Sequence, residues 1–447
     1  MPTSVRDLDR PSLIDRFRAA RRRTRALFDL LSPSVLYDRP IALRNPVLFY
    51  EGHMPAFAVN TLAKRALGHQ GVDAHFETIF ARGIDPDAEA EAVARGNPAW
   101  PARAAVQAYA DEADALVESL LRDAPLDDPR RSPLLDRGQA AWAILEHEEM
   151  HQETLAYIWH EVPHAAKTAP AGYDTYPRSH EVAPPAPRLV RIPAGTATLG
   201  TAAAAPFAWD NERPEHLVRV DGFAIDEHNV TNADFLAFVE AGGYTDARWW
   251  RPIDFAWVRA GAVAHPHFWA REDGAWFWRG MFERVPLPLA WPVYVTWAEA
   301  TAYARWRGHR LPTEPEFHRA AYGSPDGHER PHPWGTAAPD VSRANCDFRR
   351  WDPEPVGVRP AGVSAFGVHD LVGNGWEWTS TPFGPFEGFT PLPSYPEYSA
   401  DFFDGDHYVM KGASPATPAT LVRRGFRNWF RPRYPHMYAT FRCVEVS

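Results

Sequence analysis

Apolar residues recur every three or four positions through residues 1 to about 165, and that spacing predicts long amphipathic helices. The first starts at Ser12-Leu13-Ile14-Asp15, with Ser12 as cap and Asp15 at the third helical position. Leu13, Phe17, Leu27, Leu30 and Leu31 form its stripe, and Arg21-Arg22-Arg23 its solvated face. A second helix follows Pro46 and carries His53, Phe57, Val59 and Leu62; Pro55 predicts a kink or break just past His53. A third runs from Ala104 to Arg122 on Val106, Ala110, Ala113, Val117 and Leu120. A fourth spans Arg137 to Trp159. Four long helices with connecting loops predict an all-α, up-and-down four-helix bundle.

Residues 166–187 are rich in Pro and Ala and read as a linker. From Arg188 the texture changes. Leu189 to Gly195 and His216 to Val220 predict short strands. Val230 to Val239, capped by Thr231 or Asn232, and Thr296 to Trp306 predict helices. The remainder of 188–447 is mostly loops, Trp and Gly, so this half reads as an irregular α+β domain.

Composition sharpens the picture in three places. A chain of 447 residues, 45% hydrophobic, is large enough for two or three domains with their own cores. A formal charge of −10 argues against nonspecific nucleic-acid binding. Cys346 and Cys443 make neither a disulfide framework nor a metal knuckle. With a polar N-terminus and no membrane-length apolar run, the expectation is a cytoplasmic protein with no membrane partner.

The candidate chemistry lies in Glu146-His147-Glu148-Glu149-Met150-His151-Gln152-Glu153. Four residues separate His147 from His151, which puts both imidazoles on one helical face. Such a pair can grip a divalent ion, although histidines on a solvated face are the plainer reading. His53 in the earlier apolar segment is a third candidate ligand, and Glu153 a candidate partner for a metal-bound imidazole. Three neutral imidazoles with open positions suit Zn, Fe, Cu or Ni.

Several motifs carry a resemblance. In the second half these are Pro193-Ala194-Gly195, Val230-Thr231-Asn232, Gly308 to Phe317 with its Arg310-Leu311-Pro312-Thr313, Gly373-Asn374-Gly375-Trp376-Glu377-Trp378-Thr379 and Arg424 to Asn428. They resemble the formylglycine-generating-enzyme-like fold, itself related to C-type lectins. The first half resembles a DinB-like bundle. Joined in this order, the halves resemble the ergothioneine sulfoxide synthase family, which also takes in ovothiol and selenoneine synthases.

The resemblance implies a non-haem iron(II) enzyme. It would use O2 to join a thiol or selenol donor to the imidazole of hercynine, the trimethylated histidine. It implies iron ligation by His53, His147 and His151, and a catalytic Tyr395 in Tyr395-Pro396-Glu397-Tyr398. Tyr398, Asn428 and Trp429 would hold the betaine end. That fits the chemistry, because a quaternary ammonium donates no hydrogen bond and is met by aromatic faces. The helical half would supply the metal and the other half the tyrosine.

Two positions depart from the family pattern. Met150 stands where many members carry a Gln that helps hold hercynine. Phe430 stands where enzymes using γ-glutamylcysteine carry an Asp, and Arg431-Pro432-Arg433 follows. This favours cysteine or a small selenium compound as donor, with Arg431, Arg433 and, less directly, Arg82 as carboxylate clamps. The competing readings are an ovothiol-type reaction on histidine, a formylglycine-generating oxidase, and a lectin-like binding protein without activity.

Overall fold

A computed structural model describes residues 9–81, 100–173 and 182–446. It comprises two compact units, Met1–Gly172 with Leu392–Pro396, and Tyr173–Pro391 with Glu397–Ser447. Arg82 lies outside the described residues.

The first unit is helical: α1 (Arg10–Phe28), α2 (Val47–Ala58), the short α3 (Ala74–Ile79), α4 (Arg103–Asp123) and α5 (Gln139–Glu161). Both α1 and α2 pack on α4 and on α5. Asp9, not Ser12, caps α1; its carboxylate accepts from the Ser12 amide at 3.2 Å and the Ser12 hydroxyl at 2.6 Å. Arg21 is not on the solvated face. It falls one turn past Phe17, on the inward side, and is 6% exposed between Asp114 (2.8 Å) and Glu148 (2.9 Å). The stripe of α4 ends on Leu121 rather than Leu120.

Pro55 does not break α2. Every residue of that helix except Glu51 is buried, and this packing outweighs the ~3 kcal/mol that an interior proline costs. The chain then widens into a π-helix over Val59–Ala66. Helix α5 is buried on nearly all sides despite its acids. Glu149 meets Arg16 at 2.8 Å, and Glu148 meets Arg21 and the Thr24 hydroxyl (2.7 Å), so these carboxylates enter the core paired.

In the second unit the strands are β1 (Leu189–Ile192), β2 (Gly195–Leu199), β3 (His216–Val220), β4 (Phe223–Asp226), β5 (Trp269–Glu272), β6 (Ala275–Arg279), β7 (Arg284–Pro286), β8 (His309–Arg310), β9 (Gly375–Pro382), β10 (Tyr408–Ala413), β11 (Asn428–Phe430), β12 (Ala439–Thr440) and β13 (Val444–Glu445). They form sheets in the orders β1-β4-β13-β8, β11-β10-β9-β12 and β5-β6-β7, with β2 and β3 as a separate antiparallel pair. The predicted 189–195 strand divides at Pro193, which has no amide hydrogen to donate.

Helices α6 (Asn232–Glu240), α8 (Trp297–Trp306) and α9 (Glu314–Tyr322) each start on a capping box, Thr231 with Asp234, Thr296 with Glu299 and Thr313 with Glu316. The Arg310-to-Thr313 motif thus closes a helix start. α7 (Pro252–Ala260) has proline in its first turn instead. In β9, Trp376 and Trp378 are buried, and Glu377 pairs with Arg442 at 2.6 Å with both side chains at 0% exposure. This motif is internal support.

Candidate metal centre and its surroundings

His53 sits on α2, and His147 and His151 sit one turn apart on α5. Their candidate ligand atoms all lie within 4.8 Å of one another. Ring centroids are 5.1 Å (His53–His147), 4.9 Å (His53–His151) and 4.3 Å (His147–His151) apart.

Two of the rings are held by the main chain. His53 Nδ1 donates to the Phe80 carbonyl at 2.8 Å, and His151 Nδ1 to the His147 carbonyl at 3.0 Å. Spending the proton on Nδ1 leaves Nε2 as the lone-pair nitrogen in both. Backbone carbonyls thus orient these two rings. Both nitrogens of His147 are buried without a hydrogen-bond partner. A buried orphan of this kind calls for something to meet it.

Burial drives all three imidazoles toward the neutral form. It lowers His53 to about 4 and His151 to about 3, and pushes His147 well below the ordinary histidine value. Neutral imidazole is the ligating form. The donor set therefore fits a divalent transition ion with open positions, iron(II) included.

Aromatic side chains frame the triad. Phe57 lies flat on His147 with centroids 3.5 Å apart and planes within 6°. Tyr395, half-buried in the 392–396 segment of this unit, approaches His147 at 6.2 Å and Phe57 at 5.4 Å. The Arg65 guanidinium donates to the carbonyls of Ser394 (3.1 Å) and Pro393 (3.2 Å) and so holds that segment. Met150 is half-buried on α5. Phe57, Phe80 and Arg65 are site residues that the sequence reading passed over. For Phe57 a signal existed, since it lies one helical turn after His53.

In the second unit, Asn428, Trp429 and Phe430 form β11, in register with Met410, Val409 and Tyr408 of β10. Trp429 stacks on Phe383 (4.2 Å, 5°) and meets the edge of Tyr398 (5.2 Å, 79°). Trp209 stacks on Tyr398 at 4.1 Å. Tyr398 and Trp429 thus belong to one aromatic cluster. Arg433 is engaged by Asp254 (2.9 Å) and Asp406 (3.1 Å), while Arg431 is half-buried. Phe430 stacks on Tyr434 at 5.1 Å.

Residues 16–155 match the DinB superfamily, and residues 175–446 the sulfatase-modifying factor enzyme 1-like domain. A hercynine oxygenase of Mycolicibacterium smegmatis is 38% identical over 348 residues, covering 73% of this chain and 74% of that protein. A hercynine oxygenase of Mycolicibacterium thermoresistibile is 41% identical over 54% of each chain. Ergothioneine biosynthesis protein 1 of Neurospora crassa is 27% identical over 93% of this chain and 55% of its own length. Against the last two, the match spans about half of the relative.

A DinB-type helical half is followed by a sulfatase-modifying-factor half, a two-domain architecture. Within it, the chain belongs to the hercynine oxygenase family, the ergothioneine sulfoxide synthases.

Proposed function

We propose that this protein is a non-haem iron(II), O2-dependent synthase that joins the sulfur of a thiol, or the selenium of a selenol, to the imidazole of hercynine. The observation that carries this reading is the meeting of His53, His147 and His151 within 4.8 Å, in a desolvated pocket with Tyr395 beside it. When bound, iron(II) at three neutral imidazoles supplies a redox-active centre with its full positive charge, which attracts an anionic thiolate or selenolate and makes O2 usable as the oxidant.

The chain's own residues do the rest. The Phe80 and His147 carbonyls keep the His53 and His151 protons on Nδ1, so Nε2 of each ring would be the nitrogen left to hold the metal. Tyr395 delivers a proton from its hydroxyl during the oxidation. Tyr398 and Trp429 receive the trimethylammonium on their ring faces, and Asn428 donates to the hercynine carboxylate. Arg431 and Arg433 meet the donor's carboxylate, Arg433 from the network it shares with Asp254 and Asp406. Phe430 offers no carboxylate to the ammonium of γ-glutamylcysteine, which favours cysteine or a small selenium compound as donor, and Met150 offers no hydrogen bond to hercynine. We read the four long helices as an up-and-down bundle, and the two free, buried cysteines as suited to the reducing cytoplasm.

The test is an anaerobic assay on iron-loaded protein. Hercynine or histidine is offered with cysteine, γ-glutamylcysteine or a selenosugar, oxygen is admitted, and products are read by mass. The expected product is an iron-dependent hercynine adduct of cysteine or of the selenium donor. Absence of an oxygen-dependent adduct from every pair overturns the reading, and preference for histidine moves it to ovothiol-type chemistry.

A further inference from the structure

A second imidazole cluster lies wholly within the second unit. Glu227 and His228 follow β4, and His369 precedes β9; their candidate ligand atoms lie within 4.8 Å of one another. The two rings face each other at 4.7 Å and 43°. His228 Nδ1 and His369 Nδ1 are both buried and have no hydrogen-bond partner. The Glu227 carboxylate stands 3.9 Å from His228 Nε2.

The segments that carry these side chains are tied by contacts the side chains do not use. The His369 amide donates to the Glu227 carbonyl at 2.9 Å. Arg442 donates to the carbonyls of Glu227 (3.2 Å) and His369 (2.8 Å). Gly357 backs the His228 ring so closely that an added Cβ would stand 2.7 Å from its Cε1. The Gly357 amide is in turn held by Asp370 at 2.7 Å. The rings are thus placed side by side with the Nδ1 of each unmet.

We propose that Glu227, His228 and His369 form a second metal site, for a divalent transition ion of the zinc type. Two imidazoles and one carboxylate are zinc-like donors, and three protein ligands leave a fourth position for water. Burial lowers both histidines, leaving them neutral and ready to ligate. The nearby cations do not forbid an ion. Arg442 is neutralised by Glu377, both at 0% exposure. Arg188 reaches Glu227 at 3.4 Å from a side chain 72% exposed, a screened contact that a metal can displace. The site bridges the turn after β4 and the loop before β9, so the ion would brace that junction.

Chelator-stripped full-length protein titrated with Zn2+ alone, followed by calorimetry, tests this. Two binding events are expected, one at His53, His147 and His151 and one here. His228→Gln and His369→Gln should each remove one event and leave the other's affinity unchanged. Glu227→Gln should weaken the same event about tenfold or more, and it decides the matter if the histidine variants fail to fold. Uptake of a single equivalent, or two unchanged events in His369→Gln and Glu227→Gln, overturns the proposal and leaves a water between the rings. The outcome is independent of the iron assay, because neither set of variants touches the other cluster.

Discussion

The ring of Phe57 covers that of His147, 3.5 Å between centroids and 6° from parallel. The other two imidazoles are oriented by hydrogen bonds to carbonyls, whereas both His147 nitrogens lack one. Stacking therefore sets the plane of His147. Phe57→Leu keeps the pocket apolar but frees the ring to turn. We expect metal affinity to fall by about tenfold, the scale seen when a ligand loses its support, with a small change in melting temperature. An unchanged Kd in a Co2+ titration would separate Phe57 from the metal centre.

His147 without a metal is a buried polar group left unmet, a burden of about 1–3 kcal/mol. His147→Leu should therefore raise the stability of the metal-free protein by about 1–2 kcal/mol while removing metal binding. Denaturant melts of the stripped proteins check the first part and metal analysis the second. A stability gain with loss of binding is the signature of a residue kept for ligation rather than for packing.

Acid should unfold the metal-free protein through the same pocket. His53 and His151 take up protons only near pH 4 and 3 when folded, because burial disfavours the cation. The unfolded chain protonates them near 6.5. Between these values the unfolded state binds more protons, so stability is complete above about pH 6.5 and declines as the pH falls toward 4. The slope is up to about 1.4 kcal/mol per pH unit for each histidine. Urea melts from pH 7 to 4 should show it, and His53→Gln should flatten it.

Tyr395 stands beside the triad, 6.2 Å from His147 between centroids. Tyr395→Phe retains the ring and removes the hydroxyl. Sulfoxide formation should drop and oxidation of the thiol alone should dominate, measured as the product ratio by mass. An unchanged ratio would remove the hydroxyl from the chemistry.

Much of this was legible locally. Spacing put His147 and His151 on one helical face, and local pattern placed the helices that start at Thr231 and Thr296, because these are properties of neighbours in the chain. Local rules failed where packing overruled them. Pro55 is carried through a buried helix, and Arg21 is drawn inward by Asp114 and Glu148.

By itself the sequence determined the helix-borne histidine pair, the change of texture near residue 188 and the motifs that mark the family. Only the tertiary structure decided which nitrogen of His53 and His151 is left for a ligand, which ring braces His147, and that residues 392–396 return to the helical unit. The reason is physical. Periodicity reports which face a residue occupies, whereas tautomer, ring plane and partner depend on atoms brought close from distant parts of the chain. Those contacts carry no signature in the residues on either side.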